Sequence, residues 1–266
     1  MLIDTHCHLD FPEFDKDREQ VIRTAQDNGV GCIINIGSSL AGSINSVDLS
    51  KKYPQIFAVV GCHPHDAKDF SEEDFKTVAG LAGNGKAVAI GEIGLDYYRN
   101  LSPQDQQKAL FIRFIDLAKE LDLPAVIHSR DADSDTLDII KRNGLEKAVV
   151  HCFSSDELFL REILDLGFYV SFTCNITYKK AQKLRDIVRI APLERIFLET
   201  DAPYLPAEGY RGKRNEPWFV RILAQEIAKI KGISFEEVSR VTTKNAEGFF
   251  KISYNPGMSM RDNPGM

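Results

Sequence analysis

The sequence predicts an α/β fold of the TIM-type (β/α)8 barrel kind, regular or slightly irregular, followed by extra C-terminal helices. Three observations predict it. Short runs rich in β-branched and apolar residues recur eight times, amphipathic stretches of helical period separate them, and no proline- or glycine-rich linker interrupts the pattern up to about residue 250. Residues 1–252 are therefore expected to form a single barrel domain. The remainder, 253–266, repeats Asn-Pro-Gly-Met with little to pack against and is expected to be a loosely ordered tail.

The expected strands are 2–4, 32–36, 56–61, 87–91, 125–127, 148–150, 168–172 and 196–199. They are apolar throughout rather than alternating, as parallel strands covered on both faces should be. The clearest helix is 104–122, where Leu110, Phe114, Leu117, Ala118 and Leu121 recur at three and four residues and leave Lys108, Arg113 and Lys119 to solvent. Ser102-Pro103 offers an N-cap and a first-turn proline, and Leu123-Pro124 stops the helix. Two more helices, about 217–231 and 234–251, follow the eighth strand. A doubly wound open sheet is the alternative, but the sequence has no Gly-x-Gly-x-x-Gly turn to start one.

With 266 residues, 43% hydrophobic and 27% charged, the chain can bury a large core. Its formal net charge of -6 argues against a general electrostatic grip on nucleic acid, so any phosphate-bearing substrate must be held by a few local cations or by metal. The five cysteines are odd in number and flanked by strand-like residues, the pattern of reduced thiols in a cytoplasmic protein. No secretory leader or bilayer-spanning run is legible, so neither export nor membrane insertion is expected.

The histidines carry the functional signal. If the first run is extended, its two-residue period puts His6 and His8 on one face and Cys7 on the other. His63 and His65 follow the third run, His128 the fifth and His151 the sixth, so all six histidines lie near C-terminal strand ends. In a barrel those ends share the rim where active sites are built. Glu92 and Asp201 join them after the fourth and eighth runs.

Each residue has a plainer explanation taken singly. His128 and His151 could be satisfied core histidines, Glu92 a helix cap, and Asp201 a turn residue ahead of Pro203; Cys7 and Cys152 read as packing residues. Together they would have to meet on one rim for unrelated reasons. Mixed imidazole and carboxylate donors suit Zn²⁺, Mn²⁺ or Fe²⁺, with Mg²⁺ where oxygen dominates. Six ligands exceed what one open catalytic zinc uses, and two ions fit better.

The motifs Asp4-Thr5-His6-Cys7-His8-Leu9, Gly61-Cys62-His63-Pro64-His65, Gly91-Glu92-Ile93-Gly94-Leu95-Asp96-Tyr97, His128-Ser129-Arg130-Asp131-Ala132, His151-Cys152-Phe153-Ser154, Glu199-Thr200-Asp201-Ala202-Pro203-Tyr204 and Arg211-Gly212-Lys213-Arg214-Asn215-Glu216-Pro217 resemble those of the TatD family of metal-dependent deoxyribonucleases, in the amidohydrolase-like superfamily. The resemblance spans about residues 1–252. It implies two divalent ions (Zn²⁺, Mg²⁺ or Mn²⁺), one on His6, His8 and Asp201, the other on His128 and His151, with Glu92 bridging. His63 would stand beside them as proton carrier or phosphate contact, with His65 outside. The expected reaction is phosphodiester hydrolysis on DNA strand ends or short oligonucleotides, with Asp201 as general base and Arg130, Arg211 and Lys213 around the phosphates. No obligate protein partner is expected. Two alternatives remain: the same cage acting on an amide, a lactone or a deaminable ring, and a noncatalytic scaffold. Ile93 departs from the threonine more usual in the family, which could remove a hydrogen bond behind the ligands.

Overall fold

Residues 1–253, apart from 84 and 86, are described by a computed structural model. Ser253 excepted, the tail expectation falls outside them. Among the described residues eight parallel strands form one sheet in sequential order: β1 (Leu2–Cys7), β2 (Val30–Gly37), β3 (Ile56–Val60), β4 (Ala87–Asp96), β5 (Ala125–Arg130), β6 (Ala148–Val150), β7 (Tyr169–Phe172) and β8 (Ile196–Leu198). Helices α1 (Arg18–Asp27), α2 (Leu40–Lys52), α3 (Glu72–Gly83), α4 (Gln104–Glu120), α5 (Asp133–Asn143), α6 (Glu157–Asp165) and α7 (Gln182–Ile190) fill the crossovers, and α8 (Val220–Lys231) and α9 (Phe235–Phe250) follow. This is the expected TIM-type barrel with its additional C-terminal helices.

The irregularity lies at the seam. β8 is only three residues long, so β1 closes on the segment after it: Asp201 N donates to His6 O at 2.9 Å, His8 N to Ala202 O at 2.9 Å, and Cys7 bridges Ala202. Behind the seam the Asp4 carboxylate accepts from Thr200 N (2.9 Å) and Thr200 Oγ1 (2.6 Å). That buried clasp holds the residue before Asp201 against the first strand.

Two apolar layers hold the barrel. A large outer cluster packs the strands against the helices. A small inner one, with Ile3, Ile34, Val59, Ala89, Val126, Val149 and Phe197, fills the barrel and continues into Phe250 and Ile252. α9 binds the end where the strands begin: Ser239 Oγ donates to Met1 O (2.7 Å), and Asn245 Nδ2 to Leu193 O (2.9 Å) and Ile196 O (3.0 Å). With that end covered, the opposite one carries the polar residues.

Some boundaries differ from expectation. β1, β4 and β5 run longer, so His6, Glu92 and His128 lie within strands rather than after them. Ser102 is not the N-cap of α4. Its hydroxyl donates to His65 O (2.6 Å) and accepts from Lys68 N (3.1 Å), and α4 starts at Gln104 without a side-chain cap. The loop carrying His65 has taken the hydroxyl the helix would have used.

Candidate metal centre

Strand parity aims most of the site. Val126, Val149 and Phe197 belong to the inner cluster, and His128, His151 and Glu199 lie two residues further along. His63 and Asp201 are four residues beyond the inner Val59 and Phe197. The two-residue period carries His128, His151 and Glu199 inward, while His63 and Asp201, beyond the ends of β3 and β8, reach the same face on loop backbone. His6 and Glu92 do not fit this rule, since each is three residues beyond an inner residue, Ile3 and Ala89. In both strands the pairing register shifts in between, from Asp4 to Cys7 in β1 and from Ile90 to Ile93 in β4. Each shift re-aims one ligand candidate inward. Cys7 and Ile93 are accordingly fully buried in the outer layer. Ile93 thus faces apolar packing, away from the ligand candidates, so the expected loss of a hydrogen bond behind them does not apply.

Glu92 lies at the centre. Its Oε1 is 2.7 Å from His151 Nε2, 2.9 Å from His128 Nδ1 and 3.5 Å from His63 Nε2. Its Oε2 is 3.5 Å from His6 Nε2 and 3.9 Å from His8 Nε2. Asp201 Oδ1 stands 3.4 Å from His8 Nε2 and 3.7 Å from His6 Nε2. The carboxylate thus turns one oxygen to each pair of imidazoles.

These donors fit cations. Within each pair the ring nitrogens approach each other, His6 Nε2 to His8 Nε2 at 3.3 Å and His128 Nδ1 to His151 Nε2 at 3.1 Å, beside a shared carboxylate oxygen. Lone pairs and negative charge therefore converge on two points. The outward nitrogens of the rings face acceptors, as metal-binding histidines require. His8 Nδ1 donates to Ile36 O (3.0 Å), His128 Nε2 lies 3.3 Å from Asp96 Oδ2, and the Nδ1 atoms of His151 and His6 point at Glu199 from 3.5 and 4.0 Å.

His63 is different, although His63, Glu92 and His128 also lie close enough to share an ion. Its Nδ1 accepts from His65 N (3.1 Å), which leaves the proton of the neutral ring on Nε2, facing Glu92. It presents an N–H rather than a lone pair to the centre. Burial pushes this imidazole down to about 3, so the ring is neutral at ordinary pH. His65 is tied to Asp96 instead, at 2.8 Å.

The field of the site agrees with this sorting. Burial works against the charge of Glu92, yet the imidazoles around it, His151 first, hold its carboxyl well below the usual range. Burial likewise opposes ionisation of Asp201, and the contact with His8 overrides it and lowers its pKa. Asp201 keeps 17% of its side chain exposed, against 4% for Glu92 and 1% for Glu199. Of the three carboxylates it is the one solvent reaches.

Asp96 and Glu199 are the residues that sequence reasoning missed. Both stand inside motifs quoted for other members; Glu199, two residues beyond the inner Phe197, is in phase with its strand's inner face, whereas Asp96, seven beyond Ala89, comes inward only through the register shift in β4. The cations lie on the same rim. Arg130 ends β5, two residues beyond His128, and Arg211 and Lys213 lie on the loop between β8 and α8. All three are exposed, stack over Tyr98 (4.0 Å), Tyr178 (4.8 Å) and Tyr210 (5.8 Å), and have no ion-pair partner among the described residues. Arg214 is committed to Asp17 (2.7 Å) and Glu216 (2.9 Å). Among the described residues no helix is long and apolar enough to cross a membrane.

An ion bound to the folded chain alone stabilises it by ~2.7 kcal/mol at a hundred times its Kd. For a chain of this size that is about 5–10 °C in Tm. Dialysis against chelator is therefore expected to lower the melting temperature by that amount, and added Zn²⁺ or Mn²⁺ to restore it. A melt indifferent to both would remove the metal centre.

The sequence matches the family described as TatD related DNase over residues 3–251. It is 41% identical over 255 residues to the uncharacterized metal-dependent hydrolase YabD of Bacillus subtilis, covering 95% of this chain and 100% of that one. It is 34% identical over 259 residues to the 3'-5' ssDNA/RNA exonuclease TatD of Erwinia tasmaniensis, covering 94% and 100%. The fold matches the crystal structure of YjjV, a TatD homolog from Escherichia coli K12, with a TM-score of 0.90 at 30% identity over 95% and 98% of the two chains.

Proposed function

The chain belongs to the TatD family of metal-dependent hydrolases, and from that premise we propose that it is an exonuclease-type phosphodiesterase acting on DNA strand ends or short oligonucleotides. The observation that carries this reading is Glu92, whose two oxygens each address a separate pair of imidazoles, with the solvent-reached Asp201 alongside. His6, His8 and Asp201 would hold one divalent ion, His128 and His151 a second, and Glu92 both; Zn²⁺, Mg²⁺ and Mn²⁺ suit these donors. When bound, such a pair supplies Lewis acidity toward the phosphate and the attacking water.

The protein supplies the rest. Asp201, ionised beside His8 and open to solvent, accepts the proton of the water. His63 offers its Nε2–H to a phosphate oxygen, which favours the phosphate contact over the proton carrier. Arg130, Arg211 and Lys213 neutralise phosphates along the substrate, Arg in forked contacts and Lys as a point charge. Tyr98 and Tyr204, 61% and 52% exposed, supply faces on which unpaired bases stack, and this supports single strands over duplex.

Action on a neutral cyclic amide would leave three rim cations without a role, and they favour the phosphodiester. The test is digestion of end-labelled single-stranded DNA, duplex DNA and RNA, with and without chelator, beside a panel of cyclic amides. Chelator-sensitive release of nucleotides from single-stranded DNA is expected. Release that persists in chelator, or turnover confined to the amides, would sink the proposal.

A further inference from the structure

We infer that Glu199 is a positioning residue serving both halves of the centre at once, one carboxylate fixing the tautomers of His6 and His151 so that each presents a lone pair inward. The inference rests on the two-ion reading above. The rings of His6 and His151 are stacked 9° from parallel with centroids 4.0 Å apart, although they belong to opposite halves. Their Nδ1 atoms are buried with no hydrogen-bond partner among the described residues, and both face Glu199, 4.0 Å from Oε2 for His6 and 3.5 Å from Oε1 for His151. An imidazole that ligates through Nε2 carries its proton on Nδ1, and that proton needs an acceptor. Glu199 is the acceptor present for both.

The carboxylate is anchored from behind. Cys152 N donates to Oε1 at 2.7 Å and Ser171 Oγ to Oε2 at 2.6 Å. These two donors differ in what they can become. A backbone N–H only donates, whereas a hydroxyl rotates to accept. In Glu199→Gln the amide oxygen must therefore take the place of Oε1, before Cys152 N and His151, and the NH₂ that of Oε2, before Ser171 and His6. His6 then faces a donor, its proton moves to Nε2, and its inward lone pair is lost. His151 keeps its acceptor. A change of one atom in a shared residue should disable one half only.

The test is calorimetric titration of the metal-free 266-residue chain with Zn²⁺, with elemental analysis of the loaded protein. The wild type is expected to bind two ions per chain. In Glu199→Gln one should weaken about 10- to 100-fold, the range for groups behind a ligand, with the other unchanged. His6→Ala and the double variant His6→Ala/Glu199→Gln should both retain the same single ion, and His151→Ala/Glu199→Gln should hold neither tightly. Two ions at wild-type affinity in Glu199→Gln, or equal weakening of both, overturns the inference. If the wild type binds one ion, the two-ion reading falls. The inference then stands only if His6→Ala removes that ion and Glu199→Gln weakens it by the same roughly 10- to 100-fold, and falls if His6→Ala keeps it or Glu199→Gln binds it at wild-type affinity. Nitrogen-15 NMR of the zinc-loaded wild type needs no variant: His6 and His151 should both be protonated on Nδ1, and an Nε2 proton on either refutes the assignment.

Discussion

Glu92→Ala is expected to break up the two-ion centre and lower turnover by about 10⁴-fold, ~5.5 kcal/mol of transition-state stabilisation. The reason is its place between the halves, with Oε1 at 2.7 and 2.9 Å from His151 and His128 and Oε2 at 3.5 Å from His6. No other carboxylate among the described residues faces both pairs: Asp201 meets only His6 and His8, and Glu199 stands behind the rings. Without Glu92 the half made by His128 and His151 keeps only its imidazoles and loses the negative charge that draws a cation into a buried site, while the half made by His6 and His8 keeps Asp201 but loses one of its two carboxylates. Elemental analysis should find at most one bound ion, and chelator should lower the melting temperature of the variant less than that of the wild type. Glu92→Gln separates charge from shape, because the amide retains one oxygen and should hold an ion in at most one half. An alanine variant that keeps two ions and its turnover would remove Glu92 from the bridge.

The general plan of this site was legible because its parts are local. Eight apolar runs, six of them followed by a residue able to bind metal, predict a barrel and the end of it that matters, and the period of two places His128 and His151 correctly. What escaped was set by pairing between strands. The shifts that turn His6 and Glu92 inward depend on how β1 meets β2 and β4 meets β5, and a single run shows none of that. The seam is similar. Asp201 reaches His8 because the chain continues past a three-residue β8 to hydrogen-bond β1, aided by a clasp between Asp4 and Thr200 that are 196 positions apart. Glu199 was hidden for another reason: an acid that closes a strand and an acid that orients two rings look alike until both rings are placed.

Asp201→Asn is expected to reduce kcat by about 10²- to 10⁴-fold, the range for a lost general base, without unfolding the chain. Its backbone lies in the left-handed region at φ 55°, where asparagine is among the best tolerated residues, and its neighbours are pinned by Thr200 to Asp4 and by Asn215 Nδ2 to Thr200 O (2.9 Å). The amide keeps an oxygen for contact with His8 but cannot take a proton from water. Asp201 also faces the His6 and His8 pair, so part of the loss will come from weaker metal binding there. The two roles separate by titration. Saturating Zn²⁺ or Mn²⁺ should refill the half made by His6 and His8, confirmed by elemental analysis, and kcat should remain low when it does. If excess metal restores kcat to the wild-type value, Asp201 acts only as a ligand and the base must be sought elsewhere on the rim. If kcat stays low with both ions bound, the deficit is that of proton transfer, because the metals, His63 and the rim cations are all unchanged.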